Sequence, residues 1–413
     1  MRFIPVLLNK ELEIYGETKK DGYLCEILKF YRQPMKLLIV VNRDRFFLSH
    51  RKEIAIEALK RGWEVTIAAV DTGMMDQIRA MGMKVAYLPM SRYGMNPLKE
   101  FKTLIFLRRL YRKENPDIVH HVGMKAILMG TLAAYKNIKT GIVNAVCGLG
   151  SFYNNERTGK LEAITIWALR FLHNQSNVIC LFQNSEDRKF FLNNRIIKEH
   201  QARLIRGGSG VDLESFRALE FPDDNVIRII LPSRMIKEKG VFLFVQAAEK
   251  LRERFYGNAE FILAGELDYG SISSISEQEI LSVCDGVYVK WAGYVEDMRP
   301  MYASIHIVAF PSYYHEGIPR TLIEANAVGR PVVTFDSVGC RDCVIDGYNG
   351  YVVPVLDVEA LSEKIAELIL SPSLREEMGK HGRQLAERIF SVNDVVDKHF
   401  QIYDNLLALA KKS

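Results

Sequence analysis

The feature that most constrains the fold is an alternation that begins at Met35 and continues along the chain. Short apolar runs, each the length of a buried strand, alternate with longer segments whose apolar residues recur at helical spacing. In the first half the apolar runs are KLLIVV, EVTIAAV, KVAYLP, DIVHHV, GIVNAV and NVICLF. Helical segments such as NPLKEFKTLIFLRRLYRKE separate them. This alternation predicts a parallel sheet with crossover helices.

A glycine-rich break, IRGGSGVD, ends the first series, and the alternation then restarts. The new apolar runs are VIRIILP, EFILAGE, VYVKWAG, IHIVAFPS and PVVTFD. A chain of 413 residues is too long for one ordinary hydrophobic core. We therefore predict an α/β protein with two doubly wound parallel-sheet domains that face a cleft. The domains would span residues 35–205 and 213–390, with residues 206–212 as the hinge between them.

The two ends of the chain stand outside this alternation. Residues 1–34 fit neither domain and are interpreted as an N-terminal extension of unclear role. Residues 391–413 are predicted to form a helix that packs back on the first domain. One face of this helix carries Val395, Val396, Phe400, Tyr403, Leu406 and Leu407.

The net charge of +5 is divided unequally between the two halves. Residues 1–212 hold 34 Lys and Arg against 20 Asp and Glu, a net charge of +14, whereas residues 213–413 have a net charge of −9. This asymmetry indicates that the first half meets an anionic partner. We expect no nucleic acid, because no recognition motif is present and aromatic residues do not interleave with basic ones. A phosphate-bearing substrate or an anionic membrane surface fits better.

Cysteine usage and hydropathy bear on the compartment. The six cysteines have no regular spacing, which is typical of a reduced, cytoplasmic protein. Cys340 and Cys343 lack a second cysteine pair or nearby histidines for a zinc site, so we interpret them as structural. No apolar run reaches the roughly 18 residues that a membrane span needs.

Three motifs are missing from the chain, and their absence narrows the chemistry. The sequence has no G-x-G-x-x-G dinucleotide fingerprint and no G-x-x-x-x-G-K-[ST] phosphate loop. No two aspartates stand two residues apart, so the D-x-D metal clamp of one large glycosyltransferase class is also missing. We therefore expect no metal and no other cofactor. A bound diphosphate would be neutralised by side chains and backbone dipoles.

The segment LPSRMIKEKGVFLFVQAAEKL predicts a strand end, a basic loop and a helix. Ligands of open parallel sheets bind beyond the carboxyl ends of the strands, where a helix start offers free N–H groups to an anion. Arg234 can contact two phosphate oxygens, and Lys239 can add a compact positive charge. The alternative is a solvated basic loop without a ligand.

The segment HEGIPRTLIEANAVGRP places two glutamates in a loop and the helix after it. Glu316 lies in the loop, and Glu324 lies about 7.5 Å along the helix axis from Pro319. The carboxylates would then be about 10 Å apart, beyond the roughly 5–9.5 Å of hydrolase acid pairs. We interpret them as contacts for the two ends of a nucleotide sugar. The N–H groups of Gly317 and Ile318 would hold the diphosphate between them.

These residues carry a resemblance to a known family. E-G-I-P-R-T-L-I-E followed by AVGRPVVTFDSVGCRDCVIDGYNGYVVP resembles the retaining family 4 glycosyltransferases, which have the GT-B fold. The resemblance runs from about Met35 to the end of the chain and includes the R-x4-K loop and the G-V-D hinge. GLGSFY and FFLSHR resemble the branch that extends undecaprenyl-diphosphate-linked oligosaccharides in N-glycan, O-antigen or capsule pathways, including N-acetylgalactosaminyltransferases.

The resemblance implies roles for the residues of the second domain. Arg234 and Lys239 would stabilise the leaving nucleoside diphosphate, while Glu316 would orient the donor sugar without attacking it. These three are the catalytic candidates, and the reaction would need neither a protein nucleophile nor a metal. The implied donor-binding set is Arg234, Lys239, Tyr294, Val295, Glu316, Gly317, Ile318, Pro319 and Glu324, with Glu324 on the ribose and Tyr294 and Val295 at the base.

The first domain departs from the family pattern in two places. In NAVCGLG, Cys147 stands where many relatives have a histidine. The loop after the first strand, often glycine-rich in the family, is NRDRFFLSHR. The acceptor-side candidates are His50, Arg51, His120, Lys125, Cys147 and Gly148. For each histidine the alternative is a hydrogen-bonded residue at a strand end.

Two helices of the basic half are candidates for membrane contact. Arg108, Arg109, Arg112 and Lys113 cluster at the end of one helix, and Lys160, Trp167, Arg170 and Phe171 lie on or beside another. We expect docking on anionic lipid, where each basic residue near the surface contributes about 1 kcal/mol. Localisation would then be cytoplasmic and peripheral at the inner face of the cell membrane. The alternative is that these faces are simply solvated.

The resemblance therefore implies a nucleotide-sugar glycosyltransferase. We expect a UDP-linked donor, with an N-acetylhexosamine as the candidate sugar, and a polyprenyl-diphosphate-linked saccharide as the acceptor. One alternative is a GT-B epimerase, which would turn over its donor without any acceptor. The other is a non-catalytic scaffold, which would have no need of Arg234, Lys239, Glu316 and Glu324 together.

Overall fold

The computed structural model describes residues 34–91, 96–135, 140–150 and 160–410. The predicted N-terminal extension lies outside these residues except for Pro34. So does the GLGSFY segment beyond Gly150.

The first domain is built on a seven-stranded parallel sheet with the order β3-β2-β1-β4-β5-β6-β7. Alternate residues of β1 enter different cores, because successive side chains of a strand point to opposite faces. Leu37 and Ile39 pack in one core, while Leu38 and Val40 pack in the other. The strands are β1 (Lys36–Val41), β2 (Glu64–Ala69), β3 (Lys84–Tyr87), β4 (Ile118–Val122), β5 (Gly141–Val146), β6 (Val178–Phe182) and β7 (Ala202–Leu204).

Helices cover both faces of this sheet. They are α1 (Asp44–His50), α2 (Lys52–Lys60), α3 (Met75–Ala80), α4 (Pro97–Glu114), α5 (Met124–Ala134), α6 (Lys160–His173) and α7 (Ser185–Asn193). The helices α1 to α3 contribute to one core and α4 to α7 to the other. Asn96 caps α4 by accepting hydrogen bonds from the N–H groups of Leu98 and Lys99, and Pro97 occupies the first helical position, which needs no N–H partner.

The second domain repeats the design with a six-stranded parallel sheet in the order β10-β9-β8-β11-β12-β13. Its strands are β8 (Ile227–Pro232), β9 (Ala259–Ala264), β10 (Val289–Trp291), β11 (Ile307–Phe310), β12 (Val332–Phe335) and β13 (Gly350–Val353). Its helices are α8 (Val241–Phe255), α9 (Glu277–Val283), α10 (Met298–Ser304), α11 (Arg320–Val328), α12 (Val358–Leu370) and α13 (Pro372–Leu385). The predicted two-domain α/β architecture is confirmed. The edge strands β7 and β13 were not predicted.

The chain crosses between the domains twice, and the two crossings lie side by side. The N–H of Val211 donates to the carbonyl of Phe390 (2.8 Å), and the N–H of Val392 donates to the carbonyl of Val211 (3.0 Å). After the second crossing, α14 (Val392–Ala410) returns to the first domain. There Val395, Phe400 and further apolar residues of α14 join the core formed by α1 to α3. The predicted return of the C-terminal helix is confirmed.

Each sheet has a point where the strand order reverses. In the first sheet it lies between β1 and β4, and in the second between β8 and β11. The loops at the carboxyl ends of these strands diverge to opposite faces and leave a crevice, which is where open α/β sheets bind ligands. In the second sheet these are the loops that carry Lys239 and Glu316.

Candidate active site

Lys239 is positioned by a tight turn between β8 and α8. Residues Lys237–Lys239 form one 3₁₀ turn, and Gly240 then adopts a left-handed conformation with φ of +77°. A Cβ atom at Gly240 would lie 2.0 Å from the carbonyl oxygen of Pro311, so only glycine fits there. This close approach brings the loop after β8 against the loop after β11.

Lys239 and Glu316 form an ion pair between these two loops. The Lys239 Nζ lies 2.5 Å from the Glu316 Oε2, and the side chains are 9% and 13% exposed. The Ser312 hydroxyl donates to the other Glu316 oxygen, Oε1 (2.8 Å). The Lys239 ammonium also lies 5.2 Å from the centre of the Phe310 ring. Both candidates for diphosphate and sugar binding therefore converge on one place, with their charges mutually compensated.

Arg234 follows β8 and is anchored by a residue that sequence reasoning missed. Its guanidinium forms an ion pair with Asp268, which follows β9 and is buried. The Arg234 side chain is about a third exposed, so the guanidinium is held in place and remains partly open to solvent. Asp268 lies in GELDYG, a segment without a distinctive motif.

Glu324 lies inside α11 and belongs to a different hydrogen-bond network. Its Oε1 accepts from the Arg320 Nε (2.6 Å), and its Oε2 accepts from the Tyr302 hydroxyl (3.3 Å). Burial raises the pKa of Glu324, and Arg320 opposes that shift. Glu316 pairs with Lys239 instead, so the two carboxylates have separate partners. This separation agrees with the interpretation of two contacts at different ends of a ligand.

The backbone between the glutamates differs from the expectation. The N–H of Ile318 donates to the Oε1 of Gln183, a first-domain residue, at 2.9 Å. In this structure that N–H is therefore not available to a diphosphate, and Gly317 packs closely on the same Gln183 amide. Pro319 is the N-cap residue of α11, which has no side-chain cap. Gln183 lies 135 residues from Ile318 in sequence, and no local pattern in the sequence indicates that the two are in contact.

The predicted base pocket lies beyond β10. Tyr294 is 57% exposed, and Val295 packs on the core of the second domain. Arg45, in α1 of the first domain, reaches across the cleft to the loop after β9 and the loop after β10. Its guanidinium lies 5.6 Å from the centre of the Tyr294 ring, and its Nη1 lies 3.8 Å from the Oε2 of Glu266. Arg45 was not among the predicted site residues.

Two of the acceptor-side candidates are buried in the first domain. Arg51 is 3% exposed and donates to the carbonyl of His50 (2.8 Å) and to the Cys147 sulfur (3.2 Å). His120 is fully buried, with its Nδ1 2.6 Å from the Tyr403 hydroxyl in α14. Burial lowers the pKa of His120 well below its ordinary value. Both side chains have roles inside the domain, so we no longer assign them a direct contact with the acceptor.

The remaining acceptor-side candidates lie at the same carboxyl edge of the first sheet. His50 stacks on Phe46 with 4.1 Å between ring centres, and burial lowers its pKa well below the ordinary value. Lys125 forms a 2.6 Å ion pair with Glu100 and donates to the carbonyl of Ser91 (2.8 Å). Cys147 and Gly148 follow β5 and face the Glu316 loop.

Within the described ranges, no three His, Cys, Asp or Glu side chains come together in an arrangement suited to a metal ion. Cys340 and Cys343 are both fully buried, and burial raises the pKa of each thiol.

Two family models match the chain and between them cover both domains. The model described as Glycosyl transferase 4-like matches residues 36–184, and the model described as Glycosyl transferases group 1 matches residues 212–385. Each match contains one of the two parallel sheets almost completely.

Two relatives match over nearly their whole length. The capsular polysaccharide biosynthesis glycosyltransferase CapM of Staphylococcus aureus is 27% identical over 364 residues, which is 84% of this chain and 91% of the relative. The N,N'-diacetylbacillosaminyl-diphospho-undecaprenol alpha-1,3-N-acetylgalactosaminyltransferase of Campylobacter jejuni is 26% identical over 372 residues, which is 87% of this chain and 96% of the relative.

Solved structures share the fold. The Anabaena protein HepE in complex with UDP superposes with a TM-score of 0.72 at 17% identity, covering 90% of this chain and 100% of that chain. A glycosyltransferase from Rickettsia africae has a TM-score of 0.72 at 20% identity, covering 91% of this chain and 99% of that chain. The two sheets, the motif-bearing loops and these matches agree, and the chain therefore belongs to the family 4 glycosyltransferases of the GT-B fold.

Proposed function

We propose that this glycosyltransferase transfers a sugar from a UDP-linked donor to a polyprenyl-diphosphate-linked saccharide, with retention of anomeric configuration. The observation that carries the proposal is the Lys239–Glu316 pair, held by two loops at the switch point of the second sheet. The Campylobacter jejuni relative acts on a diphospho-undecaprenol-linked saccharide, as its name states. HepE binds UDP in the matching fold.

In the proposal the donor diphosphate lies against Arg234 and Lys239. Both side chains carry fixed positive charge before the donor arrives, so little reorganisation is needed as charge develops on the departing phosphate. A phosphate oxygen would compete with Glu316 for the Lys239 ammonium. The Glu316 carboxylate would then be released to accept hydrogen bonds from the sugar hydroxyls, while Glu324 accepts from the ribose.

The reaction would break the bond between the sugar C1 and the diphosphate oxygen. The acceptor hydroxyl oxygen forms its bond to C1 on the face from which the nucleotide departs, and its proton passes to the departing phosphate oxygen. Atoms and charge balance without a protein nucleophile, which agrees with the separate partners of Glu316 and Glu324. Arg234 and Lys239 would neutralise the leaving group in place of a metal.

The acceptor lipid would be reached by peripheral docking at the inner face of the membrane. Along α6, Ile164, Trp167 and Phe171 are exposed, and the Trp167 and Phe171 rings stack with 5.9 Å between centres. Arg170 beside them, and Arg109 on α4, are also exposed. In the described ranges no helix combines the length and the apolar composition that a membrane span requires.

Liposome flotation tests the docking. The wild type should float with vesicles that contain anionic lipid and not with neutral ones. The double variant Trp167→Ala and Phe171→Ala should float less, whereas Tyr269→Ala, which removes an exposed aromatic residue of the second domain, should float like the wild type. Equal flotation with both vesicle types, or none with either, would contradict docking.

A thermal shift with UDP, GDP, ADP and CMP tests the donor site. A ligand at 100 times its dissociation constant stabilises a protein by about 2.7 kcal/mol. We expect UDP to raise the melting temperature of the wild type and not that of Arg234→Ala. A second assay incubates the protein with UDP-sugars, with and without a lipid-diphosphate saccharide. Product that forms only when the acceptor is present supports transfer. Conversion of the donor in the absence of acceptor supports the epimerase. The absence of product under both conditions supports the scaffold.

A further inference from the structure

A five-residue segment of the first domain, residues 183–187, contacts the second domain through four of its members. The segment joins β6 to the first turn of α7. We call it the clasp. Each contact uses a different side chain, and three of the four reach the loop of residues 315–318, which contains Glu316. The contacting residues are Gln183, Asn184, Glu186 and Asp187.

Three contacts hold the 315–318 loop at successive points. The Gln183 Oε1 accepts from the N–H of Ile318 at 2.9 Å. The Asn184 Nδ2 donates to the carbonyl of Glu316 at 3.2 Å. The Asp187 Oδ1 lies 2.7 Å from the Nε2 of His315, which places the imidazole N–H on the carboxylate. The backbone on both sides of the Glu316 side chain is therefore fixed by the first domain.

Asp187 is itself rigidly placed. Its carboxylate is fully buried, and a buried carboxylate must have hydrogen-bond partners. Asn184 supplies one from its Nδ2 to the Asp187 Oδ2 (2.9 Å), and its own Oδ1 accepts the N–H of Asp187 (2.8 Å). His315 then serves as the partner from the other domain.

A second segment of the first domain leaves the loop no room on its other side. Gly148, with φ of +96°, lies so close that a Cβ atom there would be 2.5 Å from the backbone nitrogen of Gly317. The N–H of Gly150 donates to the carbonyl of His315 (3.0 Å). The loop is therefore enclosed between the clasp and the segment after β5.

We propose that the three clasp residues that reach the 315–318 loop set the orientation of the Glu316 carboxylate, with Gln183 and Asp187 as positioning residues. This inference rests on the proposed function, in which Glu316 contacts the donor sugar. Glu316 and Lys239 come from loops of one domain, yet the backbone of residues 315–318 is held by the other. The contacts that join the two domains at the clasp are therefore the same contacts that hold Glu316 beside Lys239.

The test combines kinetics with hydrogen exchange. Gln183→Met keeps the side-chain length and removes the oxygen that accepts from Ile318. We expect faster exchange in residues 312–319 and a fall in kcat for transfer of about 10²-fold, the cost of a small misplacement. The dissociation constant of the free nucleoside diphosphate should not change, because the hydrogen bond that the variant removes holds Ile318, whereas the proposed contacts of the nucleotide are Arg234 and Glu324. Gln183→Glu, which retains an accepting oxygen, should restore part of kcat.

Glu186 provides the matched control. Its Oε1 lies 3.1 Å from the Nη2 of Arg341, so it joins the same two domains at the exposed rim without contacting the loop. Glu186→Gln should leave loop exchange and turnover as in the wild type. If Gln183→Met and the wild type show equal exchange and equal turnover, the proposed role of the clasp is wrong, while the proposed function is unaffected. A wild type that transfers no sugar, tested with the same donors, would instead contradict the proposed function.

Discussion

The two sheets carry polar side chains at equivalent edges, but these side chains have different kinds of partner. At the switch point of the second sheet, Lys239 and Glu316 compensate each other beside the cleft. At the switch point of the first sheet, Arg51 and His120 are buried among neutral partners. The comparison shows that an equivalent topological position does not make an equivalent site. The partners available within each domain decide whether a buried cation lies beside an opposite charge, as Lys239 does, or beside neutral groups, as Arg51 does.

The difference has a physical origin in α14. This helix returns from the second domain and packs Tyr403 and His399 against His120, with 5.5 Å between the two imidazole centres. A charge enclosed there would lose its hydration, so burial lowers the pKa of His399 to about 3. At the corresponding edge of the second sheet, Lys239 and Glu316 form a pair of opposite charges, and residues 183–187 of the first domain hold the loop that carries Glu316.

The largest effect is expected when charge is removed from the switch point of the second sheet. Lys239→Ala should lower transfer by about 10²–10³, the usual cost of losing one preorganised charge at a leaving group. Steady-state kinetics measures the effect. Lys250→Ala, which removes an exposed lysine paired with Glu359, should leave the rate as in the wild type. Equal rates for both variants would remove Lys239 from the site.

The next test separates the two carboxylates. Glu324→Ala should weaken binding of the nucleoside diphosphate by roughly 10- to 100-fold, since a hydrogen bond to a charged group contributes about 1.5–3 kcal/mol. Glu316→Ala should weaken binding of the nucleotide sugar but not of the free nucleoside diphosphate, because the diphosphate then no longer competes with Glu316 for Lys239. Calorimetric titration distinguishes the two. An unchanged affinity in Glu324→Ala would refute the ribose contact.

Acidification should destabilise the first domain more than the second. Burial lowers the pKa of His121 and His173 to about 4 and that of His399 to about 3, all in the first domain or on α14. Their unfolded pKa is near 6.5, so the unfolded chain binds more protons and stability falls as pH decreases below about 7. Between pH 7 and 6 the three histidines together should lower the free energy of unfolding of the first domain by about 2 kcal/mol.

The second domain has one such group, His306, whose pKa burial lowers to about 4. Fluorescence melts can follow the domains separately in variants that keep only one tryptophan. Trp63 packs on Phe400 of α14, and Trp291 donates to the carbonyl of Gly265. The midpoint reported by Trp63 should fall further at pH 6. Equal shifts for both reporters would refute the difference.

The smallest expected effect is at the contact between Arg45 and Tyr294. An exposed cation–π contact and a surface ion pair each contribute about 0.5–1 kcal/mol. Arg45→Ala should therefore change nucleoside diphosphate affinity by at most about 30-fold. In a double-mutant cycle with Tyr294→Ala the two effects should not add. Full additivity would show that the two residues act independently.

The sequence predicted the elements that carry a periodic signal. Eleven apolar runs became strands, and the 97–114 and 392–410 helices were found where their spacing placed them. The strands β7 and β13 were not among the predicted runs, although β3 and β10, which are equally short edge strands, were. Arg234 with Lys239, and Glu316 with Glu324, could be predicted as site residues because each pair lies in one short loop-and-helix segment of the chain.

The partners of these residues could not be predicted in the same way. Gln183 and Ile318 are 135 residues apart, and His120 and Tyr403 are 283 apart. Such contacts depend on how helices cover a sheet and how two sheets meet, which local spacing does not encode. For the same reason the sequence offered Arg51 and His120 as cleft residues, although both face inward.

By itself, the sequence determined the two parallel sheets, the break between them and the charged residues of the second switch point. Each of these depends on hydrophobic periodicity or on a motif that is local in the chain. Only the tertiary structure decided that Lys239 pairs with Glu316, that α14 encloses His120, and that residues 183–187 hold the Glu316 loop. Burial and hydrogen-bond satisfaction are properties of packed surfaces, and those surfaces exist only once distant segments have come together.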